Sequence, residues 1–475
     1  MTPRRFDVLS NTAYSALTGF SAILLYIFSI IVARALGPDD YGVFIFALAV
    51  GTMLGMVVRF GFFEYLSREM PVRPEATRRL LPAIIGTQLT LAAASAAIIL
   101  GLTLLIRLPD QHKVVLVLVS AAMLFHSFIL TFRGILRGTD RFGADALLMV
   151  GDRALLLLAA IAVTIHSWNL VAVAALFLAV RCYDVVFAVA ITTPRFGWVG
   201  VDIRTRSIKD AMRAAWPFAT FVLLFVVYNY TDMIMISFLR NSAEVGFYNV
   251  AYQVLEGSHL FPTSLAGALL PVMAINYVSH PEQVNSMLRL AVRVMFAISL
   301  PLALFATAYA EPLINLLYGP AYQPASLALQ LIIWSTPAFF LAVFARSCFY
   351  AARAEADYVR ILSISVAFNA LLNVPLIMLA GYIGACITTL ATELLLLAFL
   401  MVRVHGLGFR FDIIRQLWKP LALTLILGVF LTVARSHDLH VLLAAVCSTV
   451  LYLSLAAVFR LFTRSDLARL RIGAD

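Results

Sequence analysis

The sequence predicts an all-α polytopic membrane protein of fourteen transmembrane helices, organised as two parallel six-helix lobes followed by two C-terminal helices. Three observations predict it. Of 475 residues, 62% are hydrophobic and 13% charged, with a mean hydropathy of +0.95; an ordinary soluble chain carries about twice that charge. Apolar runs of the roughly 20 residues needed to cross a hydrocarbon core recur from end to end. The basic residues, finally, alternate between successive connectors. A water-soluble enzyme, a disordered chain and a secreted disulfide scaffold are excluded.

The elements follow in order. Span 11–33 comes after Arg4 and Arg5 and is too long for the apolar core of a cleaved signal. The breaker Gly37-Pro38-Asp39-Asp40 separates it from 43–63. Spans 80–106 and 114–132 flank Leu108-Pro109-Asp110, and 146–166 and 168–193 complete the first six. A basic linker, 194–213, then leads to 214–239, 246–276 and 289–309. Gly319-Pro320 precedes 327–350, followed by 359–379, 381–403, the short 418–434 and 441–461.

The charge pattern tests this count. With the N-terminus in the cytoplasm, 27 of the 35 Lys and Arg fall in cytoplasmic connectors and 5 outside. The other three, Arg59, Arg153 and Arg181, lie within spans. A missed helix would scramble the alternation, so fourteen spans with both termini cytoplasmic is the expected topology. The same rule accounts for the net charge of +10 without a nucleic-acid partner. Cys182, Cys348, Cys386 and Cys447 all sit in apolar runs without metal or disulfide spacing. No GxxxxGK[ST], HExxH or GxSxG pattern occurs, so neither ATP chemistry nor hydrolysis is indicated, and no cofactor is implied.

Two echoes suggest an internal repeat. Asp40-Tyr41-Gly42-Val43-Phe44 aligns with Glu244-Val245-Gly246-Phe247-Tyr248 at an offset of 204. Gly138–Phe142 aligns with Ala354–Tyr358 at 216. Six helices per half make the halves parallel, and transporters of that kind bind substrate between them. The expected organisation is an N-lobe over 1–193, the linker 194–213, a C-lobe over 214–403 and an appended pair with a tail over 404–475. Ordinary helix-start chemistry arising twice is the competing explanation.

Three segments resemble the multidrug/oligosaccharidyl-lipid/polysaccharide exporter superfamily, and within it the bacterial polysaccharide-type flippases. They are Ala33–Phe44; Ala243–Ala251 with Glu311–Gly319; and Asn369–Ile377 running into Gly381–Ala385. The resemblance implies two lobes in a V that open alternately to each side. It also implies a bacterial inner-membrane location and a cargo of oligosaccharide on undecaprenyl pyrophosphate, carried from the cytoplasmic to the periplasmic leaflet. A polymerase and glycosyltransferases are the implied partners in the pathway, and a monomer is expected. In the lipid II flippases, which are similar in helix count, the last two helices line a groove for the lipid tail.

Each ionised side chain at the centre of a lone span costs about 2.5–3.5 kcal/mol, so the intramembrane charges must face water or one another. Arg59, Arg153 and Arg181 are the candidate pyrophosphate clamp, because guanidinium offers forked donors that stay protonated. Arg181 and Asp184, three apart on one helix, fit a simple structural pair equally well. Asp152 and Arg153 are adjacent and point roughly 100° apart. Arg59 fits snorkelling to the headgroups as well as facing a cavity. Tyr228, Asn229 and Tyr230 are candidates for sugar contact, with plain packing as the alternative.

Similarity to the lipid II flippases implies an ion site at Asp232, Asn369, Asn373 and Thr389, one Asn standing where the family pattern has an acid. That leaves one formal charge and favours a proton over sodium. An Asn pair bonding across helices fits the same letters. Glu256, with His259 three residues on, suggests a proton relay or a buried neutral acid. The function expected is ion-driven flipping of a lipid-linked oligosaccharide for O-antigen or exopolysaccharide synthesis; the alternatives are lipid II flipping and cation or drug antiport.

Overall fold

The computed structural model describes residues 8–105, 107–166, 169–196 and 200–462. Arg4, Arg5, Arg464, Arg469 and Arg471, and with them both termini, lie outside the described residues. All regular elements among the described residues are helical. Among the described residues, thirteen stretches are long and apolar enough to cross a membrane. One of them, Gly19–Arg59, is 41 residues long, about 60 Å at 1.5 Å per residue and twice the hydrocarbon thickness. It belongs to α1 (Val8–Arg59), which is broken at Gly37 (φ 75°, ψ 172°) ahead of Pro38. The first two expected spans are thus both in α1, and fourteen spans follow. Large apolar side chains such as Leu104, Val278 and Ile414 are more than 80% exposed, which suits contact with lipid.

By its contacts the chain divides into Met1–Gly246 and Phe247–Asp475. The first unit contains α1, α2 (Phe62–Glu69), α3 (Pro74–Leu105), α4 (Asp110–Gly138), α5 (Phe142–His166), α6 (Leu170–Phe196) and α7 (Thr205–Leu239). The lobe boundary expected from sequence lay before α7. Here α7 packs with the first unit, because Gly61 lets its backbone in: a Cβ on that residue would lie 2.6 Å from Ala219 N. Phe60 and Tyr65 meet Trp216 and Phe218 around this approach. The linker is docked as well. Asp202 N donates to Pro82 O at 2.9 Å across Gly86. The Asp202 carboxylate accepts from Ser207 Oγ (2.7 Å) and Arg204 N (3.0 Å), donors that hold its carboxyl below the usual carboxylate range.

Chain reversal at Phe60 and Gly61 (φ 42° and 73°) turns α1 into the short amphipathic α2. Its buried face is Phe62, Tyr65 and Leu66. Gly134 and Gly138, one turn apart on α4, admit α2 at backbone distance; a Cβ on Gly138 would stand 2.6 Å from Leu66 O.

The unit boundary falls within α8 (Ser242–Ser258). The second unit continues with α9 (Leu260–Ser279), α10 (Pro281–Ala308), α11 (Ala310–Tyr318), α12 (Ala325–Ile332), α13 (Thr336–Ala351), α14 (Glu355–Ala380), α15 (Tyr382–Gly406), α16 (Ile413–Ser436) and α17 (Val441–Val458). Short 3₁₀ turns at Pro320–Tyr322 and Ile333–Ser335 lie before and after α12. Tyr309, Leu423, Leu427, Leu431, Val441 and Tyr452 form one core that fixes α16 and α17 to α10. Along α10, α16 and α17 runs an apolar cavity of about 700 Å³, lined by residues such as Ala297, Pro301, Leu427, Ala445 and Ser448.

The repeat is visible in the backbone. Glycines 42 and 246 approach reciprocally: a Cβ on Gly42 would lie 1.7 Å from Ser242 O, and one on Gly246 would lie 2.5 Å from Pro38 O. The α4–α5 and α13–α14 turns are also copies, at an offset of 213 rather than the 216 read from the letters. Asp140 (φ 58°) matches Arg353 (φ 54°). Arg141 N→Leu136 O and Ala354 N→Phe349 O are both 2.8 Å. Backbone bonds, not side-chain similarity, fix the register of a turn.

Candidate functional site

The first unit gathers its intramembrane charges where α5 meets α6. Arg181 Nη1 donates to Asp152 Oδ1 and lies 3.6 Å from Asp184 Oδ2. Arg153 Nε is 3.6 Å from Asp152 Oδ2. The expected Arg181–Asp184 pairing is present, but the hydrogen bond of Arg181 goes to the neighbouring helix. Asp152 and Arg153 leave the helix at different angles and still approach, because the long arginine curls back; 3.6 Å makes an ion pair without a hydrogen bond. Arg181 is 3% exposed and stacks over Phe177 at 5.1 Å, whereas the Arg153 side chain is 20% exposed. Arg153 is therefore the most exposed member of the group.

Arg59 lies at the end of α1. Its guanidinium pairs with Glu64 on α2 and sits over the ring of Phe63 at 5.2 Å. Nearby, α4 supplies Arg133 and Arg137. Their Nε atoms are 2.5 and 2.8 Å from the two oxygens of Asp145, a wholly buried residue of α5. Arg137 also lies 5.0 Å from the Phe63 centroid. Sequence reasoning assigned Arg133 and Arg137 to a connector and missed this triad. The available signal was their spacing of four residues beside Gly134 and Gly138, which puts both on one helix face. All three clamp candidates have carboxylate neighbours, so an incoming anion has to exchange with them.

Tyr228, Asn229 and Tyr230 are half-buried on α7, with Asn229 Nδ2 donating to Phe225 O at 2.6 Å. Asp232 is buried on the same helix, in the first unit. The remaining ion-site candidates belong to the second unit. Asn373 Nδ2 donates to Asn369 Oδ1 at 3.0 Å, and Asn369 Nδ2 to Thr392 Oγ1 at 3.4 Å. The i/i+4 amides thus do share a face, and they also bond across to α15. Thr389 Oγ1 is 3.1 Å from Tyr248 Oη and donates to Ala385 O. Thr392 and Glu393 are buried beside them, a polar seam along α14 and α15.

Glu256 is exposed on α8 rather than buried. Its link to the following helix is a backbone one, His259 N→Glu256 O at 2.9 Å. The His259 ring stacks on Phe339, centroids 3.6 Å apart, and no side-chain bond to Glu256 is present among the described residues. The proton relay read from their spacing is not assembled here. Also among the described residues, no cluster of three or more His, Cys, Asp or Glu is placed to hold a metal ion.

Comparison with known proteins places this arrangement. Residues 8–277 match the family model described as "Polysaccharide biosynthesis protein", and residues 217–379 match that of MatE. A putative O-antigen transporter of Escherichia coli (strain K12) is 20% identical over 416 residues, covering 86% of this chain and 99% of its own length. Among solved structures, the lipid II flippase MurJ in an inward closed conformation superposes with a TM-score of 0.76 at 15% identity, over 94% of this chain and 98% of that one. An inward-facing multidrug resistance transporter of the MATE family gives 0.63 at 15% identity, over 82% and 95%. At such identities the likeness shows a shared fold. The family match covers more than half of the sequence, and the chain belongs to the polysaccharide biosynthesis protein family.

Proposed function

We propose that the protein is an ion-driven flippase, not an enzyme, that carries an undecaprenyl-pyrophosphate-linked oligosaccharide from the cytoplasmic to the periplasmic leaflet of a bacterial inner membrane. The product feeds surface polysaccharide assembly, and both termini are cytoplasmic. The observation that carries this reading is the charged group at α5 and α6, with Arg153 its most exposed member. A fold made almost entirely of apolar helices keeps two guanidinium groups inside it, which suits an anionic headgroup and not a cationic drug. Arg59, Arg153 and Arg181 form the headgroup region, where diphosphate oxygens replace the resident carboxylates. Tyr228, Asn229 and Tyr230 meet the sugars. Asp232 in the first unit carries the coupling proton or sodium ion; Asn369, Asn373, Thr389 and Glu256 in the second are the further ion-coupling candidates. The apolar cavity along α10, α16 and α17 holds part of the polyprenyl chain.

A reconstituted assay tests the reading: proteoliposomes with labelled polyprenyl-diphosphate saccharide on one leaflet and an imposed proton or sodium gradient. Gradient-dependent appearance of the label on the opposite leaflet is expected. Absence of translocation under either gradient, with correctly folded protein, would falsify it. A second reading, flipping of lipid II, is favoured by the structural match to MurJ over 94% of the chain. Supplying lipid II in the same vesicles separates the two.

A further inference from the structure

The connector between α15 and α16, which has no part in the function above, walls a cavity of about 930 Å³ in the second unit. Its backbone is pinned by α9 and α10. Tyr277 stacks on Phe409, centroids 4.9 Å apart, and its Oη donates to Leu407 O at 3.0 Å. Asn285 accepts from Arg410 N at 2.8 Å and donates through Nδ2 to Gly408 O at 3.4 Å. Gly408 (φ 89°) and Asp412 (φ 45°) make the bends, and Phe409 and Phe411 are buried. A wall held by four such contacts is preformed, so a ligand entering the cavity has little ordering left to do.

The lining divides by chemistry. Val402 and Ile414, on the two flanking helices, are 77% and 85% exposed, which turns this side of the cavity to the acyl chains of a bilayer. His405, Asp412 and Arg415 are its polar members. Asp412 is paired with Arg289 at 3.7 Å, and Arg403, just outside the lining, with Asp357. Arg415 makes no ion pair among the described residues, and with Arg410 and Lys419 beside it the rim carries positive charge in excess. Three residues along α16 from Arg415, Trp418 is exposed and the Lys419 ammonium lies 5.5 Å from its ring centroid. Tryptophan and lysine together mark the level of a membrane–water boundary. A cationic rim at that level, continuous with an apolar wall open sideways, complements an amphiphile with an anionic head rather than a soluble anion or a protein surface. We propose that this corner binds an anionic phospholipid of the surrounding bilayer, with its phosphate at Arg415 and its acyl chains along Val402 and Ile414. The alternation of basic residues puts the site in the cytoplasmic leaflet. It concerns the lipid around the protein, not the cargo, and it bridges α15 to the added pair of helices.

Trp418 provides the probe. Purified full-length protein is reconstituted in phosphatidylcholine vesicles containing a minor fraction of phospholipid brominated on its acyl chains, which quenches nearby tryptophan. The Trp418 signal is the difference between wild type and Trp418→Phe. Brominated phosphatidylglycerol is expected to quench that signal as if enriched about five-fold over the same fraction of brominated phosphatidylcholine, the scale of one basic residue acting on an anionic lipid. Arg415→Gln should remove most of this preference, and Arg415→Lys should keep it. Arg403→Gln, which deletes an equal charge outside the cavity, should keep it as well. Equal quenching by the two brominated lipids in the wild type overturns the inference, whatever the variants do. Loss of preference in Arg403→Gln as large as in Arg415→Gln makes the attraction a diffuse one and overturns it too. Relief of quenching by geranylgeranyl diphosphate, at a fraction where unbrominated phosphatidylglycerol gives none, assigns the corner to the cargo and overturns it as a phospholipid site. None of these outcomes bears on the flippase reading except the last, which would support it.

Discussion

Arg153 and Arg181 occupy one charged group and differ in what their removal leaves behind. Arg181 is enclosed by Asp152 and Asp184. Arg181→Ala strands buried carboxylates, which costs about 3–5 kcal/mol, so its amount in the membrane should fall. Adding Asp152→Asn to Arg181→Ala should restore the amount, read by immunoblot of membranes, but not polymer export. Arg153 is the more accessible residue, and Arg153→Ala should reach the membrane normally and abolish export. Normal export from both arginine variants would remove the diphosphate clamp. For Asp232 the readout is different. Asp232→Asn should uncouple transport from the imposed gradient in proteoliposomes, and transport that stays intact and equally ion-dependent would show that the coupling group is elsewhere.

At the scale of elements, the decisive feature is how closely α2 lies against α4. That approach positions Arg59, Phe63 and Glu64 beside Arg133 and Arg137, and it depends on two glycines. A Cβ at Gly138 would enter the carbonyl of Leu66. Gly138→Ala should therefore lower stability by about 1–3 kcal/mol through overpacking, seen as a lower thermal midpoint in detergent. Gly101, with open space where its Cβ would be, is the control: Gly101→Ala should leave the midpoint unchanged or raise it slightly. The same scale explains what the letters missed. Arg133 and Arg137 read as connector residues because apolar runs end near them. Only the helical continuation to Gly138 shows that they project from a helix face into Asp145.

For the whole molecule, the proposed contact with the polyprenyl chain rests on the cavity along α10, α16 and α17. Its lining is almost wholly apolar, and it lies against the core that fixes these helices to α10. Ala445→Trp or Ser448→Trp would fill it. Transport of a long polyprenyl substrate should fall, whereas an analogue with a short prenyl chain should move at the wild-type rate. Equal rates for both chain lengths in wild type and variant would show that the cavity holds no part of the cargo. Topology can be read independently, by labelling single cysteines at position 202 from the cytoplasm and at position 110 from the periplasm.

The sequence by itself determined the class of the protein and its helix count, because hydropathy and basic-residue alternation are properties of the chain against a bilayer and need no partner residue. It also located most of the intramembrane charges, whose cost makes them conspicuous wherever they point. Only the tertiary structure decided who answers each charge. Arg181 turned to Asp152 on another helix, and Asp145 took two arginines from a supposed loop. Pairing of this kind depends on how neighbouring helices are rotated and how closely they approach, and glycine contacts and backbone turns set that geometry at distances the linear order does not encode.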